Sequence, residues 1–274
     1  MTIVLILFLL PAALYAVVWR LSLRGGRRAL TAGLLALALV LHAGSFILPW
    51  QPGSFNYGFA KLLSATVWIG VLLVWIENAR VDLASLSSLL APLAIVLVVL
   101  PYFFPGVAFD LQAQPPLFVP HLIVGTLAYG VMFLAAMQAL LMAAAERRLH
   151  PRRPAERPGM LASVLARRNE PLPPLMVLER ILFKVIAVGF MLLLLTTVTG
   201  IVFSEETFGK PLPFNHKTVF SLVATVFVGL LLAGRWLWGW RGRTAIRLTL
   251  GGFALLLFSY VGSRFVLEMI LHRG

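Results

Sequence analysis

The chain contains no cysteine. That excludes disulfides, thiol redox chemistry and thiolate-bound metal. It also excludes a CxxCH motif, so the protein cannot carry a covalently attached c-type heme of its own. Charge is scarce as well: 12% of the 274 residues are charged, against about 25% in soluble domains. Acids are scarcest, with 10 Asp and Glu set against 23 Lys and Arg. HExxH, P-loop and GxSxG patterns are all missing. With them go the common signatures of metallohydrolases, NTPases and serine hydrolases, and the expectation is a protein that is not an enzyme. Runs of about 10 residues alternating apolar and polar, the mark of a membrane barrel, do not occur either.

What is present is hydrophobicity, at 60% of residues. It gathers into segments near the roughly 20 residues that carry a helix across a bilayer. Eight can be drawn: 2–19, 29–48, 58–76, 83–104, 119–145, 177–203, 218–238 and 244–271. The expected fold is all-α, a polytopic bundle of about eight transmembrane helices forming a single domain over 1–274. The first segment does not read as a cleaved signal peptide. No Lys or Arg precedes it, whereas Arg20, Arg24, Arg27 and Arg28 follow it.

The formal net charge of +13 raises the question of nucleic acid. The basic residues answer it by sitting in the connections between apolar segments, where they serve topology and contact with anionic headgroups. The expected partner is the lipid bilayer, with no nucleic acid. Connections after the odd-numbered segments hold seventeen arginines, and the alternate connections hold only Lys61, Lys210 and Lys217. The positive-inside rule then places both termini outside and the arginine-rich connections in the cytoplasm. The longest polar stretch, about 146–176, is rich in Pro and Arg and is expected to be a mobile cytoplasmic loop with one short surface helix near Met160–Arg167. Trp236, Trp238 and Trp240 fall at the cytoplasmic boundary, as an aromatic belt would.

With this orientation, four of the five histidines gather at the outer leaflet. His42 lies within the second segment, about 9–10 Å below its outer end at 1.5 Å per residue. His121 opens the fifth segment directly after Pro120, His216 precedes the seventh beside the candidate N-cap Asn215, and His272 closes the eighth. His150 alone falls on the cytoplasmic side. Neutral imidazole ligates iron, copper and zinc, and two opposed imidazoles hold a heme iron axially. Histidines at helix ends are also ordinary interfacial residues, so both readings stand for His121, His216 and His272. His42, inside a helix, faces the bundle interior on either reading. Arg264 needs a partner in the membrane, which is either Glu268, Glu205 or Glu206, or an anionic ligand such as a heme propionate. His121, Gly125 and Tyr129 recur every fourth residue and share one helix face. Gly125 there admits either a flat ligand or a neighbouring helix.

Several stretches carry a family likeness. His121-Leu-Ile-Val-Gly125-Thr-Leu-Ala-Tyr129 looks like a helix opened by an outer-face histidine with a Gly and a Tyr following. Thr199–Phe208, Gly239-Trp240-Arg241-Gly242-Arg243 and Leu256–Gly262 are similar to the segments around the last two helices of the same family. His272 falls where its second outer-face histidine stands, and His42 where some members keep a histidine within the membrane. On these residues the chain resembles the cytochrome c assembly family of heme-handling membrane proteins, with its CcsA-like, CcmC-like and HemX-like branches. The likeness covers nearly the whole chain and is strongest after Pro115. One departure matters. The synthetases of the family carry a tryptophan-rich, Trp-Asp-containing outer loop, where this chain reads Lys210-Pro-Leu-Pro-Phe-Asn-His216-Lys217. The chain therefore looks more like the HemX-like branch.

The resemblance implies heme as cofactor in a bacterial inner (plasma) membrane. It would be held by His121, His216 and His42 as iron ligands, with Arg264, Tyr129 and His272 in the same site. The implied partners are heme and other cytochrome c biogenesis or heme-synthesis proteins. The alternative is a cofactor-free regulatory or structural membrane partner acting in heme biosynthesis or metal-ion homeostasis.

Overall fold

The computed structural model describes residues 2–24, 27–47, 54–77, 84–110, 112–149, 174–208 and 216–270. Its helices are α1 (Thr2–Leu23), α2 (Arg28–Ile47), α3 (Phe59–Glu77), α4 (Ala84–Phe103), α5 (Phe118–Leu149), α6 (Leu175–Phe208), α7 (His216–Trp238) and α8. The last opens as an α-helix over Gly242–Leu257. It then runs on to Ile270 through π-helical turns at Phe258–Gly262 and Val266–Ile270, on either side of Ser263–Phe265. Each of these eight is long and apolar enough to cross a membrane. In lipid the backbone must satisfy its own polar groups, and a helix does so within one segment. The chain is thus a polytopic membrane helix bundle, as its hydropathy predicts.

Two helices outrun their apolar segments. The fifth continues to Leu149 and the sixth to Phe208, because each further residue of a formed helix adds a hydrogen bond whatever its side chain. The stretch expected as a loop over 146–176 is accordingly shorter at both ends: Glu146–Leu149 belongs to α5, and α6 begins at Leu175. The rest of that stretch, with the surface helix expected near Met160–Arg167 and with His150, lies outside the described residues.

The helices pack as two groups. In one, α1 lies against α2 and α4, and α3 against α2 and α4. In the other, α5 lies against α6 and α8, and α7 against α6 and α8. The groups meet where α5 packs on α3 and α4. Small residues let α5 come close to its neighbours. A Cβ added at Gly130 would overlap the Ile69 side chain of α3, and Ala128, Ala135 and Ala139 are fully buried.

One element has no counterpart in the hydropathy pattern. The α2–α3 and α4–α5 connections each contribute a four-residue strand, β1 (Ser54–Tyr57) and β2 (Val107–Asp110). They pair antiparallel, with Phe55 opposite Phe109 and Tyr57 opposite Val107. Gly106 makes the entry into β2 with φ +79°, and a Cβ there would stand 2.6 Å from the backbone nitrogen of Gly58. No other residue type suits that position. At the opposite end of the bundle, Glu179 of α6 pairs with Arg235 at 2.7 Å and Arg241 at 3.7 Å, and Glu146 of α5 with Arg243 at 2.8 Å. Trp240 packs on Gly234 there, while Trp236 and Trp238 are exposed.

Candidate functional site

At the strand-bearing end a cavity of about 320 Å³ opens between α5, α6, α7 and α8, with Tyr57 and Phe109 of the two strands in its wall. That volume falls within the range of small-molecule sites. His121, Gly125 and Tyr129, the row on one face of α5, all line it, and Arg264 of α8 closes the other side. A Cβ at Gly125 would meet only Thr196, at an ordinary 3.5 Å. The missing side chain thus enlarges the cavity and is not demanded by helix contact.

The imidazole of His121 is oriented by α6. Its Nδ1 lies 3.0 Å from the Thr199 hydroxyl oxygen. That hydroxyl sits 2.9 Å from the Leu195 carbonyl and 3.2 Å from the Thr196 carbonyl, so its single proton is directed into its own helix. Thr199 therefore accepts from His121, and the Thr196 carbonyl is a further acceptor for the ring. A carboxylate, backbone carbonyl or water accepting from the second nitrogen is the usual device that fixes a metal-ligating histidine, and the Thr199 hydroxyl occupies that place here. Gly200 leaves room for the ring: a Cβ there would come within 3.0 Å of His121 Cε1.

Most hydroxyls around the cavity are committed to protein acceptors. Thr126, Thr196 and Thr197 each donate to the carbonyl four residues back on their own helix. Tyr57 then donates to Thr126 at 2.8 Å. Burial, reinforced by Tyr260, pushes the Tyr57 phenol well above the usual tyrosine range, so it stays protonated. Tyr129 donates to the Leu256 carbonyl just before the π-helical turn, and Ser259 donates to the Lys217 carbonyl at 2.9 Å. These two bonds hold α5 and the start of α7 against α8.

The charged groups of the cavity are both cations. Lys217 Nζ stands 4.6 Å from the Tyr260 ring centre. Arg264 stands 5.8 Å from the same ring and 5.5 Å from Phe109. Sharing one ring, they are within about 10 Å of each other, where two like charges at an effective dielectric near 20 repel by roughly 2 kcal/mol. The aromatic faces offset part of this. No acid lies among the described residues of the wall, and no ion pair to Arg264 is found among the described side chains.

The remaining sequence candidates fall elsewhere. His42 is fully buried among α1, α2 and α3, with Nδ1 3.0 Å from the Tyr15 hydroxyl and Nε2 2.9 Å from Ser64. His216 is exposed at the first position of α7 and does not line the cavity, although Lys217 beside it does. His272 lies outside the described residues. Among the described residues no three His, Asp or Glu side chains converge on one point, so His42, His121 and His216 form no shared cluster. Sequence reasoning missed Lys217, Thr199, Gly200 and the strand residues Tyr57 and Phe109. Lys217, adjoining His216 at the head of an apolar segment, offered a signal, and Thr199 and Gly200 open the family-like stretch Thr199–Phe208.

Eight helices long and apolar enough to cross a membrane define a multi-pass membrane protein, and its last four enclose a cavity with one oriented imidazole and two cations in the wall. The chain belongs to the cytochrome c assembly protein family, whose model matches residues 30–271. It is 28% identical over 254 residues to the inner membrane protein YpjD of Escherichia coli strain K12, covering 91% of each chain. It is 28% identical over 277 residues to a 28.8 kDa protein encoded in a nifR3-like 5' region of Azospirillum brasilense, covering 96% of this chain and 94% of that one. The cytochrome c biogenesis protein CcsA of Prochlorococcus marinus subsp. pastoris is similar over a shorter stretch. There the identity is 30% over 89 residues, or 32% of this chain and 28% of that one. No solved structure matches the chain.

Proposed function

We propose that the protein is a non-enzymatic heme-handling component of a bacterial inner membrane, related in function to cytochrome c biogenesis factors, and that heme occupies the cavity between α5, α6, α7 and α8. The observation that carries the reading is His121. Its imidazole lines the cavity and is oriented from α6 by the Thr199 hydroxyl, as an outer partner orients a metal-ligating histidine. The donor set fits the group. A neutral nitrogen suits iron, Lys217 and Arg264 suit propionates, and Gly125 and Gly200 keep side chains out of the space beside the ring. Bound heme would supply a redox-active or transferable iron porphyrin. The chain's own residues would orient it and exclude water.

Orientation is part of the proposal. The arginine-rich connections would face the cytoplasm, and the cavity would open at the outer leaflet.

The test is the visible spectrum of the detergent-purified protein, alone and after titration with hemin. Wild type should show a Soret band that His121→Ala removes or converts, with melting temperature unchanged. Thr199→Val should keep the band and weaken hemin affinity at least about tenfold, as loss of such an orienting partner does. A colourless wild type that takes up no hemin would sink the reading and leave a cofactor-free regulatory relative in its place.

A further inference from the structure

A π turn holds one residue more than an α turn, so it rotates everything after it relative to what stands before. The π turn at Phe258–Gly262 lies in the wall of the cavity, and no proline stands anywhere in α8 to cause it. Its cause comes from α5. The Tyr129 hydroxyl donates to the Leu256 carbonyl, and the Tyr260 backbone N–H and the Ser259 side chain bond to the same phenol oxygen. Leu256 and Tyr260 are four apart, the two partners of one α-helical hydrogen bond. A side chain from another helix thus occupies a rung of the α8 ladder, and such an insertion distorts a helix. Tyr129 is buried and its hydroxyl is committed to backbone, so a ligand meets its ring and not its proton.

Just past that rung, the Tyr260 ring meets the Tyr57 ring edge to face at 5.8 Å, lies 4.6 Å from Lys217 Nζ and stands 5.8 Å from Arg264. With an α turn in place of the π turn, one surplus residue would swing the following side chains by about 100° around the axis of α8. Arg264 would then leave the cavity wall. We propose that Tyr129 is a positioning residue: by standing in for the Leu256–Tyr260 bond it holds the π turn, and the π turn aims Tyr260 and Arg264 into the cavity. Its value for ligand binding rests on the heme reading, whereas the register it sets does not.

The chain has no cysteine, so an introduced pair is read without background. Phe59 of α3 and Phe265 of α8, beyond the π turn, meet edge to face with ring centres 5.5 Å apart. In the full-length protein, Phe59→Cys with Phe265→Cys, treated with a short bismaleimide, reports the register of α8, and the otherwise wild-type chain should crosslink. Tyr129→Phe removes one oxygen and lets the Leu256 carbonyl and the Tyr260 N–H pair with each other. Most of the crosslink should be lost. In the cysteine-free chain, Tyr129→Phe should weaken hemin at least about tenfold without lowering the melting temperature, and heme that stays bound should keep its His121-dependent spectrum. Deleting Phe258, which is exposed, from the Tyr129→Phe chain takes out the surplus residue. That deletion should restore both crosslink and affinity, which it would not do if Tyr129 only filled space.

Crosslinking of the Tyr129→Phe chain at the wild-type yield would overturn the proposal, because the π turn would then stand without the hydroxyl. So would a pair that fails to crosslink in the otherwise wild-type chain, or a lost crosslink that the Phe258 deletion leaves lost. If the deletion chain fails to insert, the crosslink and affinity of Tyr129→Phe decide. Failure of the heme reading looks different: the crosslink follows the register as expected while hemin gives no spectrum dependent on His121 in any chain. If hemin binds through His121 and its affinity ignores a changed register, the positioning role alone is refuted.

Discussion

Two histidines of similar promise in the sequence have opposite surroundings in the fold. His121 shows one nitrogen to a hydroxyl acceptor and lines a cavity. His42 has a partner for each nitrogen, Tyr15 and Ser64, and no exposed surface. Both partners of His42 are themselves buried, so removing the imidazole strands two hydroxyls. Each unsatisfied group costs about 1–3 kcal/mol, and the space left behind adds to that. His42→Ala should therefore lower the melting temperature clearly while leaving hemin affinity and spectrum as in wild type. The reverse result, an altered spectrum with unaltered stability, would make His42 a ligand and not a strut of the α1–α3 packing. In the sequence both belong to apolar segments, one opening its segment and the other inside it. Only their neighbours on other helices separate them, and those neighbours are 22 to 78 positions away in the chain.

At the scale of elements, the helices were legible and the strands were not. A helix satisfies its backbone locally and shows itself as one long apolar run. Strands β1 and β2 are four residues each and satisfy their backbones only through one another, across some 50 residues of chain. Neither run is long enough to carry a period. Yet this small sheet brings Tyr57 and Phe109 to the cavity and places Phe109 beside Arg264. Gly106 is its weak point, since φ +79° and the nearby Gly58 backbone both oppose a side chain. Gly106→Ala should cost on the order of 1–3 kcal/mol from backbone strain alone. It should also weaken hemin binding while the His121-dependent spectrum of whatever remains bound is preserved. Hemin affinity equal to wild type would show that the sheet does not shape the site. The π-helical turns of α8 were equally invisible, because nothing in Phe258–Gly262 marks a change from α to π geometry.

For the whole molecule, the arrangement of charge leads to a topology that can be measured. Reporter fusions after Gln51, Gln114 and Gly209 should read as external, and fusions after Gly25, Pro158 and Gly242 as cytoplasmic. An external signal at Pro158 would reverse the bundle and put the cavity at the cytoplasmic face. The sequence by itself determined the class of the protein: eight apolar spans, basic connections alternating with nearly neutral ones, and the likeness to a heme-handling family. Those properties belong to single segments or to their order, and hydropathy expresses them locally. It also put His121, Gly125 and Tyr129 on one face, since a helix repeats within four residues. Which other side chains that face meets was decided by the tertiary structure alone. Thr199 on the Nδ1 of His121, two cations over one tyrosine, His216 turned away and His42 tied into another part of the bundle all depend on how each helix is rotated about its axis. Packing between distant segments sets those rotations, and no apolar pattern within a single segment records them.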